Sequence, residues 1–260
     1  MITKGEPGMD DSNPLEKIYV PFPGKIVEQM RILRAQGFEP TTFASAMDLR
    51  RSTITNKELE VDWIASHIHT RDAIISHPDK SYKLVLDCQD AVLLDSQSDL
   101  VNGRAFLTER KYNSLKGLKL TPQQVKRFTS YDLTSEQILD NPFWNYLARN
   151  PDFFRGEFDF RDGDPDRLAA YVDFVFSKSI TGAYGCKRAM GIYLGSSQKV
   201  PIMNLACLGG INDASRIRGG RLDEYSGNLI GESRVGKHFE IFFADSLTQL
   251  ASDYASRFSN

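Results

Sequence analysis

The chain has few cysteines, Cys88, Cys186 and Cys207, and no two are spaced as CxxC. That pattern gives neither a disulfide framework nor a zinc ribbon, and it predicts three buried or half-buried thiols. No apolar run approaches the ~20 residues that a membrane-spanning helix needs, so no membrane insertion is expected. The first residues, "MITKGEPGMDDSNP", lack the apolar core of a signal peptide. The expected location is therefore cytoplasmic by default, with surface display possible through a partner. An excess of one charge is also missing. There are 32 Lys and Arg against 34 Asp and Glu, a net charge of −2 and a pI near 6.1. A dedicated nucleic-acid binder carries a basic domain, so nucleic acid is not an expected partner. No GxGxxG, P-loop or GxSxG motif occurs, and no cofactor is called for.

What remains is an ordinary globular composition, 41% hydrophobic and 25% charged over 260 residues. Residues 1–14 predict a flexible tail and residues 15–260 a single domain. "KIVEQMRILRAQG" predicts a helix with Ile26, Met30 and Leu33 on one face and Gly37 at its C-cap. "TTFASAMDLRRS" predicts a second, capped by Thr41 or Thr42. "DAIISHPDKSYKLVLD" predicts a β-hairpin turning at "HPDKS". Thr108, Thr121 and Thr134 are candidate helix caps. Thr134 stands three residues before Gln137, as in a capping box, and Pro142 should open a further helical turn or kink the first. "DPDRLAAYVDFVFSKSITGAYG" predicts the strongest helix, capped by Asp164, ended by Gly182 or Gly185, with Leu168, Tyr171, Val172, Val175 and Phe176 as its stripe. Short β-like runs follow ("AMGIYLGSS", "VPIMNLACL", "NLIGES", "HFEIFFADS"), then a last helix, "LTQLASDYASRF". Helices and hairpins first, short strands later, argue α+β.

Two clusters invite a metal. His67, His69 and His77 fall within "HIHTRDAIISH", and Asp72 or Asp79 can complete a site. A metal-dependent enzyme built there is the alternative reading. The simpler one makes them surface histidines, with His67 and His69 in a polar connection before the hairpin. Asp162, Asp164 and Asp166 alternate as at the start of an EF-hand. The loop's sixth position is Arg167 instead of Gly and its twelfth Asp173 instead of Glu, so helix capping explains the carboxylates better.

The stretch 204–233, "NLACLGGINDASRIRGGRLDEYSGNLIGES", fits no regular element. Between Asn204 and Asp223 it uses no Lys, Glu, Gln, Met or Trp, although these five types make up 43 of the 260 residues and about three are expected. Six of the 28 residues from Asn204 to Gly231 are glycine. A loop this long is functional, disordered or, as a third reading, packed in a structural or assembly protein.

In order along nearly the whole chain, "EKIYVPFPGKIVEQMRILRAQGFEPTTFASAMDLR", "DAIISHPDKSYKLVLD", "LTSEQILDNPFWNYLAR", "AMGIYLGSSQKVPIM" and "GNLIGES" resemble the variable proteins of archaeal diversity-generating retroelements. The resemblance implies a C-type-lectin-like fold and no enzymatic activity. It implies a ligand-binding region at about 204–227, diversified when a reverse transcriptase copies a template and mutates it at adenines. Asn codons mutated at their adenines never give Lys, Glu, Gln, Met or Trp, which fits the gap; Glu224 departs from it. The expected ligand is a protein surface. The implied display set is Cys207, Gly209, Gly210, Asn212, Asp213, Ala214, Arg216, Arg218, Gly220, Arg221, Tyr225 and Ser226. Leu205, Leu208, Ile211, Ser215, Ile217, Gly219, Leu222 and Gly227 would be scaffold. Arg216, Arg218, Arg221 and Tyr225 would dominate contact, because Arg and Tyr are favoured at hot spots, and would prefer an acidic surface. No "EPN" or "WND" occurs, so the fold would not bring calcium-dependent sugar binding with it.

Overall fold

A computed structural model describes residues 17–23, 25–52, 66–88, 100, 103–129, 132–149, 165–178, 188–195, 199–211, 214–220, 222 and 228–234. The chain divides into two compact units, Met1–Tyr19 with Glu232–Asn260, and Val20–Gly231, where the sequence suggested one domain over 15–260. The described part of the smaller unit is strand, from the start of β1 (Lys17–Pro23) and the end of β12 (Asn228–Arg234). The larger unit carries the candidate site.

Its sheet is built around two antiparallel strands, β3 (Ile68–Ser76) and β10 (Ile202–Leu208). Every residue of both is buried, so both faces of this pair are covered. On its other edge, β3 takes β12 in parallel at one end, with Asn228 opposite Ile68, and β4 (Tyr82–Val85) at the far end. Strand β10 likewise takes β11 (Ile217–Gly220) at the first end and β5 (Ala105–Phe106) at the far end. Beyond β11 lies β9 (Ile192–Tyr193), and beyond β4 lies β6 (Leu118–Leu120). Strand β2 (Glu39–Pro40) pairs with β12, and β7 (Asp132–Leu133) with β8 (Ala189–Met190) forms a separate ribbon. The class is α+β, but strands from the first half share one sheet with the late ones. That pairing is non-local and leaves no trace in element order.

The helices follow their caps. In α1 (Ile26–Ala35), Ile26, Met30 and Leu33 are buried, and Gly37 closes it at φ +80°. Helix α2 (Phe43–Ser52) is capped by Thr42, whose Oγ1 accepts Ser45 N–H at 3.0 Å. Thr108 caps α3 (Glu109–Ser114), and full capping boxes open α4 (Pro122–Phe128, Thr121 with Gln124) and α5 (Ser135–Leu139, Thr134 with Gln137). Asn141 caps a new helix, α6 (Pro142–Leu147), with Pro142 in its first turn. In α7 (Pro165–Lys178), Leu168, Tyr171, Val172 and Val175 are buried while Phe176 is half-exposed. Phe43, Trp144 and Tyr171 join α2, α6 and α7, with ring centroids 5.7 and 6.5 Å apart. The expected Asp164 cap, Gly182, Gly185 and the last predicted strand and helix lie outside the described residues.

Gly117 leads into β6, where a Cβ would sit 2.1 Å from the Leu84 carbonyl oxygen of β4. Backbone cannot yield as a flexible side chain can, so Gly117→Ala should cost about 1–3 kcal/mol, read as a lowered urea midpoint at unchanged slope.

Candidate functional site

Within the stretch without a sequence signature, β10 and β11 pair as the two arms of a β-hairpin. Strand β10 turns at Gly209 and returns as β11, with Leu205 opposite Gly220, Cys207 opposite Arg218 and Leu208 opposite Ile217. The turn is closed by Gly209 N–H to Arg216 O (2.8 Å), Ser215 N–H to Gly210 O (2.9 Å) and Ala214 N–H to Ile211 O (3.0 Å). Ala214 and Ser215 take left-handed conformations, φ +52° and +50°. Non-glycine residues adopt these only when something else holds them there.

That hold comes from outside the hairpin. Arg50 of α2 is fully buried. Its guanidinium donates to the Gly209 carbonyl, to Ser66 O at 2.7 Å, to Tyr171 Oη at 3.1 Å and to Ser215 Oγ at 3.3 Å. Tyr171 Oη and Ser215 Oγ are 2.6 Å apart. A second strut runs through β8. Trp144 Nε1–H donates to Met190 O at 2.8 Å, and Met190 N–H to Ala214 O at 2.8 Å. Ile217 N–H donates to Gly191 O at 2.9 Å. Both ends of the turn are thus fixed by α2, α6, α7 and β8. Arg50 suits the first clamp because its planar fork reaches several acceptors at once.

On this frame the expected scaffold residues Leu205, Leu208, Ile211, Ser215, Ile217 and Leu222 are all at most 2% exposed. Gly219 is half-exposed, and a Cβ there would meet Asn204 at ordinary contact distance. Gly227 lies outside the described residues. The expected display set divides. Arg216 and Arg218 are half-exposed beside Tyr193, each guanidinium over its ring at 5.2 and 5.7 Å. Arg216 also grips Asp132 through two 3.0 Å hydrogen bonds. Ala214 is half-exposed, and Gly220 ends β11. Cys207 is a correction. It is 2% exposed in the all-buried β10, between His69 and Arg218 in register, so it faces packed protein. Gly209 and Gly210 are buried too and contribute backbone. Asn212, Asp213, Arg221, Tyr225 and Ser226 lie outside the described residues. Asp132 and Tyr193 were missed because only tertiary pairing brings them to the hairpin.

The three histidines do not converge: half-exposed His67 stays near His69, but His77 is remote from both. His69 lies inside β3 and not in a polar connection, and His77 stands just past the far end of that nine-residue strand, about 25–30 Å away. His77 Nε2 meets Glu109 at 3.1 Å and Nδ1 meets Asp79 at 2.8 Å. Asp72 accepts from Phe43 N–H at 2.6 Å and Asp87 N–H at 2.8 Å, so it caps α2. Burial pushes its carboxyl up to about 6 against those donors. No group of three metal-capable side chains occurs among the described residues. Asp162 and Asp164 lie outside them, and Asp166 is exposed in the first turn of α7. Cys88 is buried like Cys207, and Cys186 lies outside the described residues. Both ring nitrogens of His69 are buried without a hydrogen bond, and desolvation, with His67 nearby, pushes it down to about 4.

No family model and no curated protein matches the chain. Among solved structures it resembles one described as "Accommodation of massive sequence variation in Nanoarchaeota by the C-type lectin fold". The TM-score is 0.54 at 11% identity, over 85% of this chain and 97% of that one. At that identity the likeness concerns the fold. The chain is an α+β protein with the architecture of a C-type lectin fold, and no helix among the described residues is long and apolar enough to cross a membrane.

Removing the clamp should be costly. Arg50→Met leaves the Gly209 and Ser66 carbonyls without this donor and should destabilise by about 2–4 kcal/mol in urea unfolding, with Arg50→Lys recovering only part. His69 gives a pH signature. Its folded pKa lies below the unfolded value, so its contribution is complete above about pH 6.5 and is lost as pH falls towards 4. Asp72, shifted upwards, acts in the opposite sense, so the comparison is parent against His69→Leu. The parent should lose about 3 kcal/mol relative to the variant between pH 7.5 and pH 4.

Proposed function

We propose that the chain is a non-enzymatic ligand-binding protein, the variable protein of an archaeal diversity-generating retroelement. Its C-type-lectin-like scaffold presents a hairpin whose outward residues are replaced from variant to variant. One observation carries the proposal: the hairpin turn is held by Arg50, itself anchored on Ser66, and by Tyr171 and Met190, all outside the diversified segment. Side chains on such a turn can change without removing what fixes its backbone. The missing residue types in 204–223 are those that adenine mutation of Asn codons does not supply. The solved structure of similar fold is itself described in terms of massive sequence variation; for function this is analogy.

In this variant the binding surface is Ala214, Arg216 and Arg218 with Asn212, Asp213, Gly220, Arg221, Tyr225 and Ser226. Cys207, Gly209 and Gly210 belong to the frame. Asp132 and Tyr193 join the surface as constant neighbours that orient the two arginines. The ligand is a protein surface with acidic groups, because orientated guanidiniums pair best with carboxylates.

A library randomised over Asn212, Asp213, Ala214, Arg216, Arg218, Arg221, Tyr225 and Ser226 should melt within a few degrees of the parent for most members. One randomised over Leu208, Ser215 and Ile217 should lose folding in most, since truncating a buried Leu or Ile costs about 2–5 kcal/mol. Comparable losses in both libraries would overturn the proposal.

A further inference from the structure

We propose a second interaction surface: the basic outer edge formed by α3, β6 and α4, with Phe106 and Val200 beside it, docks the protein peripherally on an anionic membrane surface. Residues 104–127 hold seven Lys and Arg and a single acidic residue, Glu109. The window therefore carries +6, and the rest of this −2 chain carries −8. Arg110, Lys111, Lys116, Lys119, Lys126 and Arg127 are all exposed. Glu109, the single acidic residue, is engaged by His77 at 3.1 and 3.3 Å.

The cations are crowded at a cost to the fold. Lys83 and Lys119 stand directly opposite in the β4–β6 register, an arrangement that destabilises a sheet. Burial, and Lys119 after it, push the Lys83 ammonium down. Lys83 is accommodated by the Tyr112 and Leu115 carbonyls and by the Tyr112 ring at 4.1 Å, with Lys119 at 5.9 Å from the same ring. One lysine is enough to keep an edge strand from pairing further. Six exposed cations, five on two helices and a strand and Lys116 in the connection between them, exceed that need.

Lipid headgroups fit this surface better than protein or nucleic acid. Four of the six cations are lysine, which protein interfaces disfavour but which diffuse attraction to anionic lipid uses as well as arginine. Phe106 and Val200 are two of the four exposed large apolar side chains among the described residues, at 37% and 39%. They lie together at the entry to α3, where Leu107 N–H donates to Pro201 O at 2.9 Å and Phe106 pairs with Ile202. Apolar side chains beside cations suit the headgroup boundary, whereas single-strand binding needs a row of aromatics. The position also fits. In register, Lys119 stands by Lys83 and Lys83 by Ile75, whereas the turn begins beyond Ile68, about 20 Å along β3. Docking there leaves the hairpin end clear.

The test is co-sedimentation of the full chain with phosphatidylcholine vesicles, with and without phosphatidylglycerol, at low and high salt. Binding is expected only with the anionic lipid and should weaken as salt rises. Combined Lys116→Glu, Lys119→Glu and Lys126→Glu should reduce it at least about 100-fold, and Phe106→Ser should reduce it several-fold while the melting temperature stays near the parent's. Equal binding to both vesicles, no binding at low salt, or a charge-reversed variant that melts like the parent and still binds would overturn the proposal. So would equal affinity for duplex DNA or an acidic protein with no effect of Phe106→Ser. The salt dependence of the parent decides the matter if the charge-reversed variant does not fold.

Discussion

The buried guanidinium of Arg50 is the constraint on which the rest of the site depends. A charged group taken out of water is tolerated only when its donors are met, and here the acceptors come from separate stretches of chain: Ser66, Tyr171, and Gly209 with Ser215. Satisfying Arg50 therefore fixes where α2, α7 and the turn meet. The left-handed Ala214 and Ser215 are consequences, since the turn is held in a shape its residues would not choose alone. Trp144, through Met190, secures the other side of the same turn.

This arrangement separates two properties that most loops mix. Backbone position is set by groups beneath the hairpin, and surface chemistry by side chains upon it. The central β3–β10 pair carries the separation further, because its two ends are served by different strands. One end bears the arginine pair over Tyr193, and the other the lysine-rich edge around Tyr112. The two ends share no residue.

Much of the helical framework was legible in the sequence because caps are local chemistry. Thr108, Thr121, Thr134 with Gln137, and the "HPDKS" turn each announce themselves within five residues, whereas the Gln124 half of the first capping box and the Asn141 cap emerge only in the structure. The site was legible only in part. Strand β11 is "IRGG", in which two glycines offset the one strand-former, Ile217, and it is a strand because β10 and β9 offer it partners. Arg50 sits in "DLRRS", where an arginine ordinarily faces solvent and complements the helix dipole, so its burial could not be inferred. His69, and Cys207 as a display residue, failed for the same reason, although the cysteine pattern had pointed to a buried thiol. Which face of a strand is covered depends on distant segments, and a polar or small residue does not declare it. The composition gap in 204–223 was visible, but composition does not say which of these residues reach the surface.

The most direct test is native-state hydrogen exchange at the Gly209, Ser215 and Ile217 amides, whose bonds to Arg216, Gly210 and Gly191 define the turn. It would compare the parent with several variants differing at Asn212, Asp213, Arg216 and Arg218. If the frame alone fixes the turn, the three amides exchange at closely similar, slow rates in every variant. If their protection rises and falls with the outward side chains, the hairpin is shaped by the very residues said to be interchangeable, and the account fails.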